Sequence, residues 1–488
     1  MSNKTQGKLL RLALIPLTAA ILVATGCSNG ALNTVTQSSA TGSTFVVGTD
    51  APLAAVTSFA VQVETVELTN SSGSTASLIT GTPTVDFARF NGLQTLLDMN
   101  KVPTGTYTSV TITLGSGTIG YLNTGSGAPT IKTMPVVYSP SSSSTVNVTL
   151  DKPLVIATGN PPVGLRIDFD LAKSIQVSGT PGQITGNVTP TFDVHTIART
   201  DTGAYIDELI GGVVTAPSGT TEPNSFVIAG PHGENFTINT TSSTTWDGAA
   251  SLSALNSNSI VQVSGQLDPA DQTLDADEVA IISDSKFWAT GQITYVTPTT
   301  GAATSFDLYT RALEPTDVSG STGMPISLGQ IAQVNLTGSE KYYVYWMHNP
   351  FTQFLFNASG LTAGQPVAIG GPASGVTPGA SSLTVDRIHL RNWGFNGTIV
   401  PKSQSSSNGS FQMQVTGFAG QLITTPITVY LGGDCDFRYG FGAFSDLTDS
   451  TNIRVVGLLL KNPTTGQLVL WARHVDGANF TDFATFAF

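Results

Sequence analysis

The sequence predicts an all-β protein, and three observations carry that expectation. Apolar residues alternate along short segments: Phe59, Val61 and Val63, then Val66 and Leu68; Val110, Ile112 and Leu114; Val146, Val148 and Leu150. This is the period of a strand with one buried face. Clusters of Gly, Pro, Asn and Ser separate the segments at short intervals, supplying the backbone angles that turns require. The only helical spacing near these segments is short, around Phe90 to Met99, where Leu93, Leu96 and Leu97 predict one short helix.

The chain of 488 residues begins differently. Lys4, Lys8 and Arg11 precede an apolar run from Leu12 to Val23, too short to span a bilayer, that ends in Ala24-Thr25-Gly26-Cys27. A basic head, an apolar stretch and small residues predict a secretory signal peptide over residues 1–26. The cysteine after them resembles the lipobox of bacterial lipoproteins, with Ala24 where Leu is commoner. That resemblance implies a membrane anchor of acyl chains such as palmitate on Cys27. Ser28 in the next position implies sorting to the outer membrane. Residues 27–43, rich in Ser, Thr, Gly and Asn, read as a flexible tether.

Charged residues make up 11% of the chain, against about 25% in average soluble domains. Loss of residues 1–26 would move the formal charge from −12 to −15. Such a chain has no electrostatic footprint for nucleic acid and is repelled by anionic lipid, so membrane attachment falls to the acyl chains. Cys27 and Cys435 are the two cysteines. With Cys27 acylated no internal disulfide can form, and Cys435, flanked by Asp434 and Asp436, reads as a buried inert thiol.

Residues 44–199 carry Thr49-Asp50-Ala51-Pro52, then Pro103-Thr104-Gly105-Thr106-Tyr107, then Leu165-Arg166-Ile167-Asp168-Phe169-Asp170. In that order these motifs resemble the domain-of-unknown-function family 4382, which implies a transthyretin-like β-sandwich and no known chemistry. The second half repeats itself three times. Each copy opens with Gly-x-Val/Ile (Gly211, Gly291, Gly397) and continues with Ser-Phe (Ser225-Phe226, Ser305-Phe306, Ser410-Phe411). Next come alternating β-branched residues before a glycine (Gly265, Gly371, Gly457), and a closing Leu-x-Ala/Val (Leu274, Leu383, Leu470). A period of this length suits one small domain per copy. The pattern is similar to the domain-of-unknown-function family 5666, which implies OB-like β-barrels at 208–284, 287–391 and 393–478. The whole predicts a lipid-tethered string of four β-domains.

Candidate chemistry is sparse. The histidines have no metal-ligand or catalytic spacing, and no nucleophile elbow, P-loop or dinucleotide fingerprint occurs. Glu278, Arg387 and His474 share one position in the closing strand, which predicts a solvated face that tolerates any charge. Asp168 and Asp170 alternate around Phe169 and, with Asp50, are candidate hard-oxygen ligands for Ca²⁺. A polar strand face and an Asp50-capped turn are the alternative. In the second repeat a long insertion carries Tyr342, Tyr343, Tyr345, Trp346 and Phe351, in a chain only 8% aromatic. These are the candidate ligand-binding residues, suited to stack on a sugar or a partner protein; a strand buried between barrels is the alternative.

The expected function is a non-catalytic binding or structural module of the cell envelope, without a cofactor, whose partner is a glycan, an envelope component or a protein. The competing expectation is a secreted hydrolase, or hydrolase accessory protein, with a site assembled between domains. A pocket joining two carboxylates and a histidine would favour the second; an aromatic shelf favours the first.

Overall fold

The computed structural model describes residues 40–477, apart from 52–55, 91–94, 124–126, 140–143, 159–162, 179–182, 199–204, 230–234, 248–250, 269–272, 285–286, 315–324, 345–351, 372–375, 378–379 and 439. Within these lie thirty-one strands and two short helices, Leu171–Ser174 and Gly417–Leu422. The protein is all-β, as its alternation predicts. The signal peptide, Cys27 and most of the tether fall outside the described residues. The first strand, Thr41–Ala51, starts inside the stretch read as tether.

That strand runs parallel to Val163–Asp170 and antiparallel to Thr95–Pro103; Phe192–Ala198 pairs with the far side of Val163–Asp170. The facing sheet is built on Val56–Asn70 and Gly105–Asn123, with Thr145–Ile156 and Thr130–Pro135 beside the latter. Strand alternation sends Leu165, Ile167 and Phe169 into one core with Phe59, Val61 and Ile112. Phe169 stacks on Phe59 at 4.7 Å and meets Phe192 edge-on at 4.8 Å. The expected helix over Phe90 to Met99 is absent: Phe87–Phe90 is a 3₁₀ turn, and Thr95–Pro103 is a strand. Three leucines within five residues fit either period, and pairing with Thr41–Gly48 decides between them.

Each of the three repeats has one strand order. Barrel 1 comprises Tyr205–Thr215, Asn224–Ala229, Asn235–Thr240, Ile260–Asp268 and Thr273–Ser283. Its first strand pairs with the second and fourth, and a parallel pairing of third with fifth closes the ring. Barrel 3, from Trp393–Ile399 to Leu468–Asp476, closes in the same way. In barrel 2, from Trp288–Thr297 onward, the fifth strand is broken: Leu383–Thr384 pairs with the third strand and Arg387–Leu390 with the fourth. Registers coincide residue for residue. Val213 faces Ile228, Ile293 faces Leu308, and Ile399 faces Met413. The Ser-Phe motif places Phe226, Phe306 and Phe411 opposite Ile238, Val334 and Val429 on the third strand.

The repeated glycines mark close backbone approaches. A Cβ on Gly291 would lie 1.9 Å from the Tyr309 carbonyl oxygen, and one on Gly457 would lie 2.1 Å from that of Trp471. The strand register shifts at both positions, so each glycine sits at a bulge that bends its strand around the barrel.

The four domains do not form a string; residues from 40 onward make one unit. Ile210, Ile260 and Ile282 of barrel 1 pack with Trp288, Ala312 and Ala368 of barrel 2. Leu458, Leu460 and Val469 of barrel 3 join the barrel 2 core, and Leu122, Tyr309 and Phe418 join the sandwich to barrels 2 and 3. The closing-strand position expected to be solvated is correspondingly buried in two copies, with Glu278 at 1% and His474 at 3% exposure. Parts of the outer barrel faces, at Ile210, Ile260, Ile282, Leu458, Leu460 and Val469, are domain interfaces, which one repeat read by itself does not reveal.

Candidate binding site

The aromatic segment begins with the short strand Lys341–Val344, which lies at one edge of its sheet and pairs in parallel with Arg387–Leu390. Its register puts Tyr342 beside Ile388, as Trp246 lies beside Val279 in barrel 1 and Phe437 beside Val475 in barrel 3. All three rings pack, partly buried, against their own barrel core. The strand carrying Tyr342 and Tyr343 is therefore part of the repeat and no insertion. The recurring aromatic escaped the sequence reading because it stands 20, 36 and 26 residues after the Ser-Phe phenylalanine in the three copies.

The two neighbouring tyrosines have opposite environments. The Tyr342 hydroxyl is buried without a hydrogen-bond partner, and its ring meets Phe356 edge-on at 5.8 Å. Burial, with the nearby Glu340 carboxylate, pushes its pKa up to about 12. Tyr343 stacks on His389 with centroids 4.8 Å apart. His389 is 2% exposed and neither ring nitrogen has a hydrogen-bond partner. Burial, reinforced by Arg387, pulls its pKa down to about 3, so the imidazole is neutral and supports the tyrosine as a flat uncharged base. Phe354 and Phe356 belong to the barrel core. Tyr345, Trp346 and Phe351 lie outside the described residues.

Of the carboxylates expected as metal ligands, Asp170 has a protein partner. Asp170 caps the helix Leu171–Ser174: Oδ1 accepts the Lys173 N–H at 2.8 Å, and Oδ2 lies 2.8 Å from Lys173 Nζ. Asp168 is 3% exposed, and burial raises its pKa to about 6, opposed by Arg166 and by Arg454 of barrel 3. Asp50 lies opposite Phe169 in the parallel pairing, while Thr49 lies opposite Asp168. Among the described residues no group of three or more His, Cys, Asp or Glu is placed to hold a metal. Arg454, His474 and Asp476 are each at most 3% exposed, so the carboxylates and imidazole near this junction are enclosed.

A second feature was not foreseen. Arg311, 5% exposed, donates from Nη1 to the carbonyl oxygens of Thr57 at 2.9 Å and Ala88 at 3.2 Å. Its guanidinium lies 5.1–5.4 Å from the ring centroids of Trp393, Tyr309 and Phe418. One side chain of barrel 2 thus binds sandwich backbone and aromatic faces of barrels 2 and 3. Beside it Glu208 of barrel 1 pairs with Arg391. Nothing in the local sequence around Arg311 signals this role, because its hydrogen-bond partners are more than 200 residues away.

Residues 41–185 match the family model described as Domain of unknown function (DUF4382), and residues 211–280 match Domain of unknown function (DUF5666). No curated protein matches the chain. Among solved structures, a chain titled "drosophila Unr CSD456" aligns over 56% of this chain and 97% of its own, at 10% identity and a TM-score of 0.14. At that score the likeness carries no argument about fold or function.

Proposed function

We propose that this protein is exported, anchored through Cys27 to the bacterial cell envelope, and acts there as a non-catalytic binding or structural module. The observation that carries the reading is the locking of four β-domains by buried side chains, with Arg311 holding sandwich backbone and barrel rings together. A scaffold joined in this way holds a contact surface in fixed geometry at the end of a tether. The contact surface is the edge of barrel 2, where Tyr343 rests on neutral His389 and the chain continues into Tyr345, Trp346 and Phe351. A ring braced from behind suits stacking against a sugar or a partner's apolar side chain.

Two measurements test this. Metabolic labelling with a palmitate analogue, followed by fractionation, should place wild-type protein in the envelope with label and Cys27→Ser in the soluble fraction without it. Unlabelled wild-type protein in the soluble fraction would reject the anchor. A pull-down against envelope extracts and polysaccharides should retain wild type and lose Tyr343→Ala and Tyr345→Ala/Trp346→Ala, both still folded by circular dichroism. Equal retention of folded wild type and variants would remove the aromatic edge from the binding surface.

A further inference from the structure

Where the three barrels meet, a narrow cleft of about 260 Å³, counting its open mouth, is lined by Glu208, Thr290, Gln292, Arg311, Arg391 and Trp393. Two guanidiniums and one carboxylate make its wall positive by one charge, inside a chain whose net charge is −12. The carboxylate is committed, because Glu208 pairs with Arg391. Arg311 has no carboxylate in ion-pair contact among the described residues, and its buried Nε makes no hydrogen bond. Two carbonyls and three ring faces offset part of the cost of burying this cation, but none of them carries a full negative charge.

The remaining lining is mixed, with Thr290 and Gln292 polar and Gly291, Pro366 and Trp393 largely apolar. Gln292 is 1% exposed; its Nε2 donates to the Gly364 carbonyl at 3.0 Å, and its Oε1 has no partner. Thr290 is 2% exposed and Trp393 6%. The unpartnered Arg311 Nε–H is a donor that a water or an anion satisfies, whereas the unpartnered Gln292 Oε1 is an acceptor that calls for a water. The excess positive charge selects an anion, and the narrowness selects a small one.

We propose that this junction is a binding site for a small inorganic anion of chloride size, held next to Arg311 and completing the charge balance where the domains meet. Occupancy stabilises the assembled state by mass action, so stability depends on the identity of the salt as well as on ionic strength.

Urea unfolding is followed in sodium chloride and in sodium gluconate at equal ionic strength. The expected result is a saturable rise of the midpoint with chloride and none with gluconate. Glu208→Gln removes the competing carboxylate and should lower the half-saturating chloride concentration, on the order of tenfold. In crystals grown in bromide, an anomalous peak is expected within hydrogen-bonding distance of the Arg311 guanidinium. Arg311→Met should abolish the chloride-specific rise; if that variant does not fold, Glu208→Gln and the bromide peak decide. Superimposable chloride and gluconate curves in both wild type and Glu208→Gln, or no bromide at Arg311, would overturn the proposal.

Discussion

His389 shows how burial turns a titratable residue into a structural one. Its pKa falls to about 3 from an ordinary 6.5, so the folded state disfavours the imidazolium that the unfolded chain accepts. The associated stability is fully present above pH 6.5 and is lost as pH falls toward 3. The contribution is on the order of several kcal/mol. Replacing His389 with Phe, which keeps the stacked base under Tyr343, should flatten the acid side of a stability-versus-pH curve; an unchanged curve would place the sensitivity elsewhere. Asp168 acts with the opposite sign. Its raised pKa favours the protonated form, so its contribution is greatest below about pH 4 and is lost as pH rises through about 6. Asp168→Asn should remove that fall while keeping the His389 effect, as urea titrations at pH 4.5 and 7.5 would show.

Among the elements, the repeat glycines and the short aromatic strand make separable predictions. Gly457→Ala must push the Trp471 carbonyl aside, since no room exists for a Cβ. Overpacking of this kind costs roughly 1–3 kcal/mol, measurable as a lower urea midpoint. Tyr342→Ala empties a partly buried ring position on the barrel 2 core and should lower stability by about 1–3 kcal/mol. Tyr343→Ala should lower it by less while losing ligand retention. Equal losses at both positions would make the pair purely structural. The strands themselves were legible, because alternation and glycine spacing report a half-buried pleat directly. The Tyr342 element was misread as an addition, because the loops before Trp246, Tyr342 and Phe437 differ in length. Leu93, Leu96 and Leu97 misled for the reverse reason: local spacing suited a helix, while partners in the first strand were remote in sequence.

At the scale of the molecule, Arg311, Glu208, Gln292, Arg391 and the burial of Glu278 and His474 were not legible, since each depends on which domain faces which. Domain boundaries drawn from repeats do not show that the repeats are packed together. The prediction belonging to this scale is cooperativity. Calorimetry of the chain from residue 40 onward should give one principal transition, and Arg311→Met should lower its temperature or split it in two. Independent transitions in the wild type would mean that the buried contacts between domains contribute little.

The Arg311 bonds also impose an order in time. The sandwich carbonyls they satisfy belong to Thr57 and Ala88, and Ala88 is made 223 residues before the guanidinium that binds it. At usual rates of synthesis that interval is about 10–45 s. A sandwich that folded before barrel 2 was made would hold those carbonyls, and the surface around Leu122, in water.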